Sequence, residues 1–144
     1  MENQNYKNHR RLVPMFHYFL FALITLVLIG SFVNLYKSIG DHERIYSADL
    51  IVSLSIAMLF SFFFMRIFAL KAQDRAIRAE ENLRHFALTG KLLDTRLGVK
   101  QVIALRFSSD DEFVELAKKA ADSNMSAEAI KKAIKNWKGD YYRA

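Results

Sequence analysis

Two long apolar runs occupy the first half of the chain, and a charged half with a different period follows. Residues 14–36, PMFHYFLFALITLVLIGSFVNLY, are uncharged from Tyr18 to Tyr36. As a helix such a run extends about 34 Å at ~1.5 Å per residue, enough to cross a ~30 Å hydrocarbon core. Pro14 suits the first turn, where its missing N–H costs nothing. The apolar stretch of a signal peptide is shorter, about 7–15 residues, and ends at a small-residue cleavage site. SFVNLY offers no such site, so the run reads as a retained span. The second run, residues 47–70, is SADLIVSLSIAMLFSFFFMRIFAL, uncharged over 50–65. Ser47 and Asp49 suit its N-terminal end, and Arg66 can reach the headgroups from the other. The link at 37–46, KSIGDHERIY, is short enough to make the two helices antiparallel neighbours, a helical hairpin.

From residue 65 the period changes. Met65, Ala69, Ala72, Ala76, Ala79, Leu83 and Phe86 recur at alternating spacings of four and three, an a/d pattern. Charged residues fill the other faces, with Asp74–Arg78 and Glu80–Arg84 as i,i+4 pairs in the favourable order. No Gly or Pro intervenes before Gly90, so one helix is predicted over about 47–89, leaving the bilayer without a break. Its seam is mostly alanine, which buries little area and gives close, weak helix contact. Leu83 and Phe86 lie nearest the C-terminal part and are expected to pack into it as core, with Phe113 and Trp137. Inside the span, Ser53, Ala57 and Ser61 form a small-xxx-small stripe that lets helix backbones approach. These three with Ala69, Ala72, Ala76 and Ala79 form a candidate helix-packing seam, either within the chain or between copies.

The pattern after Gly90 is that of short helices. Leu93, Leu97, Val102 and Leu105 fit a helical face with a break at Gly98. VIALRF begins like a strand, but a lone short strand is not stable. In SSDDEFVELAKKAADSN, Ser109 and Glu112 have the spacing of a capping box, and Phe113, Leu116, Ala117 and Ala120 make the buried stripe. In SAEAIKKAIKNWKG, Ser126 is the expected N-cap and Gly139 the stop. Ile130, Ala133, Ile134 and Trp137 form its apolar face, opposite Lys131, Lys132, Lys135 and Lys138. The fold class is therefore all-α. A two-helix transmembrane hairpin (residues 1–70) has its second helix extended into a small cytoplasmic helical bundle (residues 71–144).

Charge sets the orientation. Lys7, Arg10 and Arg11 precede the first span, and Arg66, Lys71, Arg75 and Arg78 close the second, against only Lys37 and Arg44 in the link. The positive-inside rule then puts both termini in the cytoplasm, with a multi-pass topology and the link outside. The chain of 144 residues carries a net charge of +6, which reads as topology and an anionic lipid surface. The exposed face of the last helix is all Lys, without Arg, Asn or Gln for base edges, which argues against nucleic acid as a partner.

Enzyme chemistry finds no foothold. There is no cysteine, so thiol catalysis, disulfides and Cys-ligated metals are excluded. His9, His17, His42 and His85 show no metal-ligand spacing, and no phosphate loop or nucleophile elbow occurs. Asp110, Asp111, Glu112 and Glu115 stand at a helix start, where capping and the dipole account for them. Neither span has an ionisable group at its centre, which makes transport a weaker reading. No catalytic residue, cofactor or metal is expected.

NHRRLVPMFHYF, IALRFSSDDEF and IKKAIKNWKGDYYR, together with the two spans, resemble a family of small bacterial inner-membrane proteins known only as a domain of unknown function. The resemblance covers nearly the whole chain and implies a bacterial membrane protein with no assigned activity and no site residues. The expected function is a non-enzymatic accessory or scaffold subunit whose cytoplasmic module docks a protein partner. A small homo-oligomeric channel, with Ser53 and Ser61 lining a pore, is the alternative. The expected surroundings are the lipid bilayer and a protein partner or self-association through helices.

Overall fold

The computed structural model describes residues 4–9 and 11–141. Arg10, counted above among the flanking charges, and Tyr142 and Arg143 of the C-terminal motif lie outside the described residues. The chain is all-helical, in the order α1 (Phe21–Lys37), α2 (His42–Thr89), α3 (Val99–Leu105), α4 (Asp110–Asp122) and α5 (Ala127–Ala133). A π-helical turn, Met15–Leu20, leads into α1. The chain divides into two compact units, residues 12–69 and residues 1–11 with 70–144.

The first unit pairs the Met15–Lys37 helix with the first part of α2. The connection is tighter than the sequence suggests. Gly40 takes φ +91°, and α2 begins at His42, not near Ser47. The reason is Asp41, whose carboxylate accepts the N–H groups of Glu43 (3.1 Å) and Arg44 (3.3 Å) and so caps the helix. Ser47, expected at the start, lies inside α2 and its hydroxyl donates to the Arg44 carbonyl. Phe16 stacks on Phe62 at 4.5 Å, which brings the beginning of one helix to the far part of the other, the antiparallel arrangement. Ile24, Ser31 and Ser38 before α2, and Ala48, Val52, Ser55 and Phe62 within it, are the buried residues of this unit.

The second unit is built on residues 70–89 of α2, a single helix to Thr89. There Gly90 adopts φ +73° and its N–H bonds the Phe86 carbonyl at 2.7 Å. This left-handed stop is one only glycine takes without strain. α3, α4 and α5 enclose the core, in which Val102, Leu105, Phe107, Phe113 and Ile130 are fully buried. Gln101 ties this arrangement. Its Oε1 accepts the Gly98 N–H at 2.7 Å, and its Nε2 donates to the Met125 carbonyl at 2.8 Å.

Three expectations are corrected here. The capping box at Ser109 does not form; the Glu112 carboxylate instead accepts the N–H groups of Lys135 (3.1 Å) and Asn136 (3.0 Å). Held there, the chain leaves the helix early: α5 ends at Ala133, Ile134 is extended, and Gly139 is no helix stop. Ser126 does cap α5, accepting the Ala129 N–H at 3.1 Å. Residues 134–141 run as an extended tail, bridged to Ser108 at Trp137 by Ser109 N–H to Asn136 O (3.0 Å) and Lys138 N–H to Phe107 O (2.7 Å). Trp137 thus reaches Phe107 (5.2 Å) from the tail and not from a helix face, and Lys135 and Lys138 belong to the tail.

The third correction concerns α2. Leu83 is 68% and Phe86 52% exposed, so neither is core, whereas Phe113 is fully buried and Trp137 packs on the core as expected. The side of α2 that faces the unit carries Ile77, Glu81 and Arg84 instead. Substituting Phe113→Ala removes a completely enclosed ring and is expected to destabilise the unit by about 3–5 kcal/mol. Thermal unfolding of the purified chain checks this, and Leu83→Ala should leave the midpoint within about a degree or two of wild type.

Candidate functional site

The C-terminal unit carries the polar chemistry of the described residues, and Arg84 is its centre. Its Nε donates to Asp110 Oδ1 (2.6 Å), Nη1 to Glu81 Oε2 (3.0 Å) and Nη2 to the Ser108 carbonyl (2.7 Å). The guanidinium also lies 4.2 Å from the centre of the Phe113 ring, the geometry of a cation–π contact. The fork shape of the guanidinium is what lets one side chain serve an α2 carboxylate, an α4 carboxylate and a loop carbonyl together. The expected Glu80–Arg84 pair gives way to this arrangement, because Arg84 turns toward the start of α4. Glu81 is almost buried. Desolvation pushes its carboxyl above the usual glutamate value, against the pull of Arg84 and Lys138. Asp110, on the solvent side, is shifted down by its hydrogen bond to Arg84.

Beside this cluster lies a groove of about 870 Å³, lined by Arg11, Gln73, Ile77, Glu80, Glu81, Arg106, Lys138, Asp140 and Tyr141 among others. Its charges alternate in sign. Arg106, itself buried, bridges to Asp140 at 3.0 Å. Gly139 leaves room for the groove's far wall, since a Cβ there would run into the Tyr141 ring.

The N-terminal arm forms the remaining wall, a feature the sequence reading placed with the hairpin. Gln4 grips Asp140 by both ends of its amide, accepting the Asp140 N–H (2.8 Å) and donating to its carbonyl (3.2 Å). The Tyr6 hydroxyl donates to Glu128 (2.9 Å), and Arg11 donates to the Tyr141 carbonyl. His9 sets its ring against Phe107 (5.8 Å) and Trp137 (6.0 Å), with Lys131 Nζ 3.1 Å from its Nε2. The only advance signal was the aromatic and histidine content of an otherwise polar arm, NYKNHRR, which periodicity cannot assign to any face.

The seven seam residues are brought together only in part. Ser53, Ala57, Ser61, Ala69, Ala72, Ala76 and Ala79 are all exposed in the single chain. In the hairpin unit, the helix contact uses Ala48, Val52, Ser55 and Phe62, about 180° around α2 from the Ser53–Ala57–Ser61 stripe at ~100° per residue. In the C-terminal unit, Ala72, Ala76 and Ala79 share a face with Leu83 and Phe86, away from the Ile77–Glu81–Arg84 side. Ala76 also touches the groove. The acidic residues at the start of α4 are divided between Arg84 and the 135–136 backbone, as given above. Among the described residues, no group of three His, Cys, Asp or Glu is placed to hold a metal.

A family model covers residues 1–144, and the chain belongs to that family, described as a family of unknown function (DUF6526). No curated protein and no solved structure matches the chain.

Two outcomes follow from the Arg84 cluster. Arg84→Ala leaves Glu81 buried without its cation and is expected to cost about 3–5 kcal/mol. Adding Glu81→Leu should return much of that loss, read as recovery of the unfolding midpoint. The pH response has a definite sign. Glu81 binds its proton more tightly when folded, so stability rises as pH falls from neutral toward its ordinary value of 4.5. Below that, Asp110, and Asp94 held at about 2 by its hydrogen bonds with Arg96, bind protons more tightly when unfolded, and stability falls. Melting curves against pH should show a mildly acidic maximum whose neutral-side slope Glu81→Gln flattens.

Proposed function

We propose that this protein is a non-enzymatic accessory subunit of the bacterial inner membrane. Its hairpin lies in the bilayer, both termini face the cytoplasm, and its C-terminal helical unit docks a protein partner. The observation that carries the reading is the surface of the hairpin unit. Leu26, Ile29, Leu54, Phe60 and Phe68 are between 56% and 66% exposed. The helices Met15–Lys37 and His42–Thr89 are long and apolar enough to cross a membrane, with a hydropathy of 2.2 in each apolar window. Only 11% and 17% of those windows are buried, unlike core helices of a soluble protein. A continuous apolar surface of this kind calls for lipid around it.

Orientation is supported twice. The excess of Lys and Arg flanks the ends of the hairpin and not its turn. Gln4, Tyr6 and His9 also pack on the C-terminal unit, which supports one side of the membrane for the N-terminal arm and that unit. The docking role is supported by the groove of the C-terminal unit, lined by Gln73, Glu81, Lys138 and Asp140 among others.

The chain has no cysteine, so single-cysteine variants report position cleanly. In intact spheroplasts an impermeant maleimide is expected to label Ile39→Cys at once and Leu92→Cys only after lysis. The reverse order, or release of the protein by alkaline carbonate, would overturn the topology or the membrane location respectively. Native mass analysis after gentle detergent extraction should show the chain travelling with a stoichiometric protein partner; a bare monomer would remove the docking role.

A further inference from the structure

We propose that the free face of α2 takes the same face of a second copy, as a parallel, in-register helix pair across Ala72, Ala76, Ala79, Leu83 and Phe86. The proposal rests on the membrane reading above, because insertion in one orientation makes copies of α2 parallel and fixes them at one depth. The five residues follow spacings of four, three, four and three, the a/d repeat of a helix pair. All five are exposed, and the contacts of α2 with its own unit run through Ile77, Glu81, Arg84 and His85 on the other side, with Asn82 at the edge accepting the Leu93 N–H at 3.2 Å. Three alanines allow close backbone approach, and Leu83 and Phe86 supply the larger apolar contact at the end of the seam.

Charge selects a second copy over a generic helix. In a parallel pair, a residue at g faces the residue at e five positions further along the other helix. With Ala72 and Ala79 at d and Ala76 at a, Arg75 occupies g and Glu80 occupies e. Arg75 of each copy therefore meets Glu80 of the other, twice by symmetry. Both are exposed, and Arg84, the neighbour expected to pair with Glu80, is committed to Glu81, Asp110 and Ser108. The next such pair is Asn82 with Ala87, so no like charges oppose one another. Two heptads make a weak pair in free solution. Confinement to one bilayer raises the effective concentration of the second helix and offsets that weakness.

Oxidative crosslinking of the full chain in membranes tests the pairing. Ala79→Cys and Leu83→Cys are expected to form disulfide-linked dimers, and Arg78→Cys, on the outer side, to form few. In the Ala79→Cys background, Arg75→Glu or Glu80→Arg alone should lower the dimer yield about fivefold, and the two together should restore it. No dimer at 79 and 83, equal yields at 78 and 79, or no rescue by the charge swap would each overturn the proposal. Maleimide labelling of Ile39→Cys in the same membranes separates the two readings. Loss of crosslinking with labelling intact removes the pairing alone, and loss of the labelling pattern removes the membrane reading beneath it.

Discussion

The C-terminal unit depends on one guanidinium. Residues 70–89 of α2 bring a single buried apolar side chain, Ile77, to the rest of the unit. So small a contact cannot by itself fix a helix against a bundle. Arg84 supplies the missing specificity by holding Glu81, Asp110 and the Ser108 carbonyl at once while covering Phe113. Its cost is the near-burial of Glu81, whose carboxylate is poorly solvated and whose proton affinity rises accordingly. An interior charge of this kind fixes register more than it adds stability, because the pair must recover its own desolvation.

From that anchor the remaining contacts follow in order. Fixing Ser108 fixes the short stretch 107–109, which offers its backbone to the tail at 136–138. The tail lies there because Glu112 draws the 135–136 amides out of helical geometry. Trp137 then covers Phe107, and His9 of the N-terminal arm closes over both rings. The N-terminal arm and the tail at 134–141 are therefore part of one folded unit, and the groove between α2, the tail and Arg11 exists only because they meet.

α2 presents a used face and an open face in each unit. Within each unit one side of the helix is used by its own chain, and small or apolar residues on another side are left open. In the hairpin unit the open side carries Leu54, Phe60 and Phe64, with Ser53, Ala57 and Ser61 among them. In the C-terminal unit it is narrow, alanine-rich and edged by Arg75 and Glu80.

The sequence by itself determined the all-helical class, the two apolar helices, the uninterrupted run of α2 and most of the small core, because hydrophobic period, chain length and glycine stops are local properties. Phe113, Ile130 and the Ser126 cap could be read from spacing alone. The a/d stripe was also legible as a pattern, but which side of α2 its own chain would occupy was not. That choice was made by Arg84, a residue any helical wheel assigns to solvent. The tertiary structure likewise decided the end of α5, the role of Glu112 and the docking of the N-terminal arm. Each of these turns on a polar group finding a partner distant in sequence. Pairing of that kind leaves no periodic trace, since its energy depends on what lies opposite and not on what lies three or four residues along.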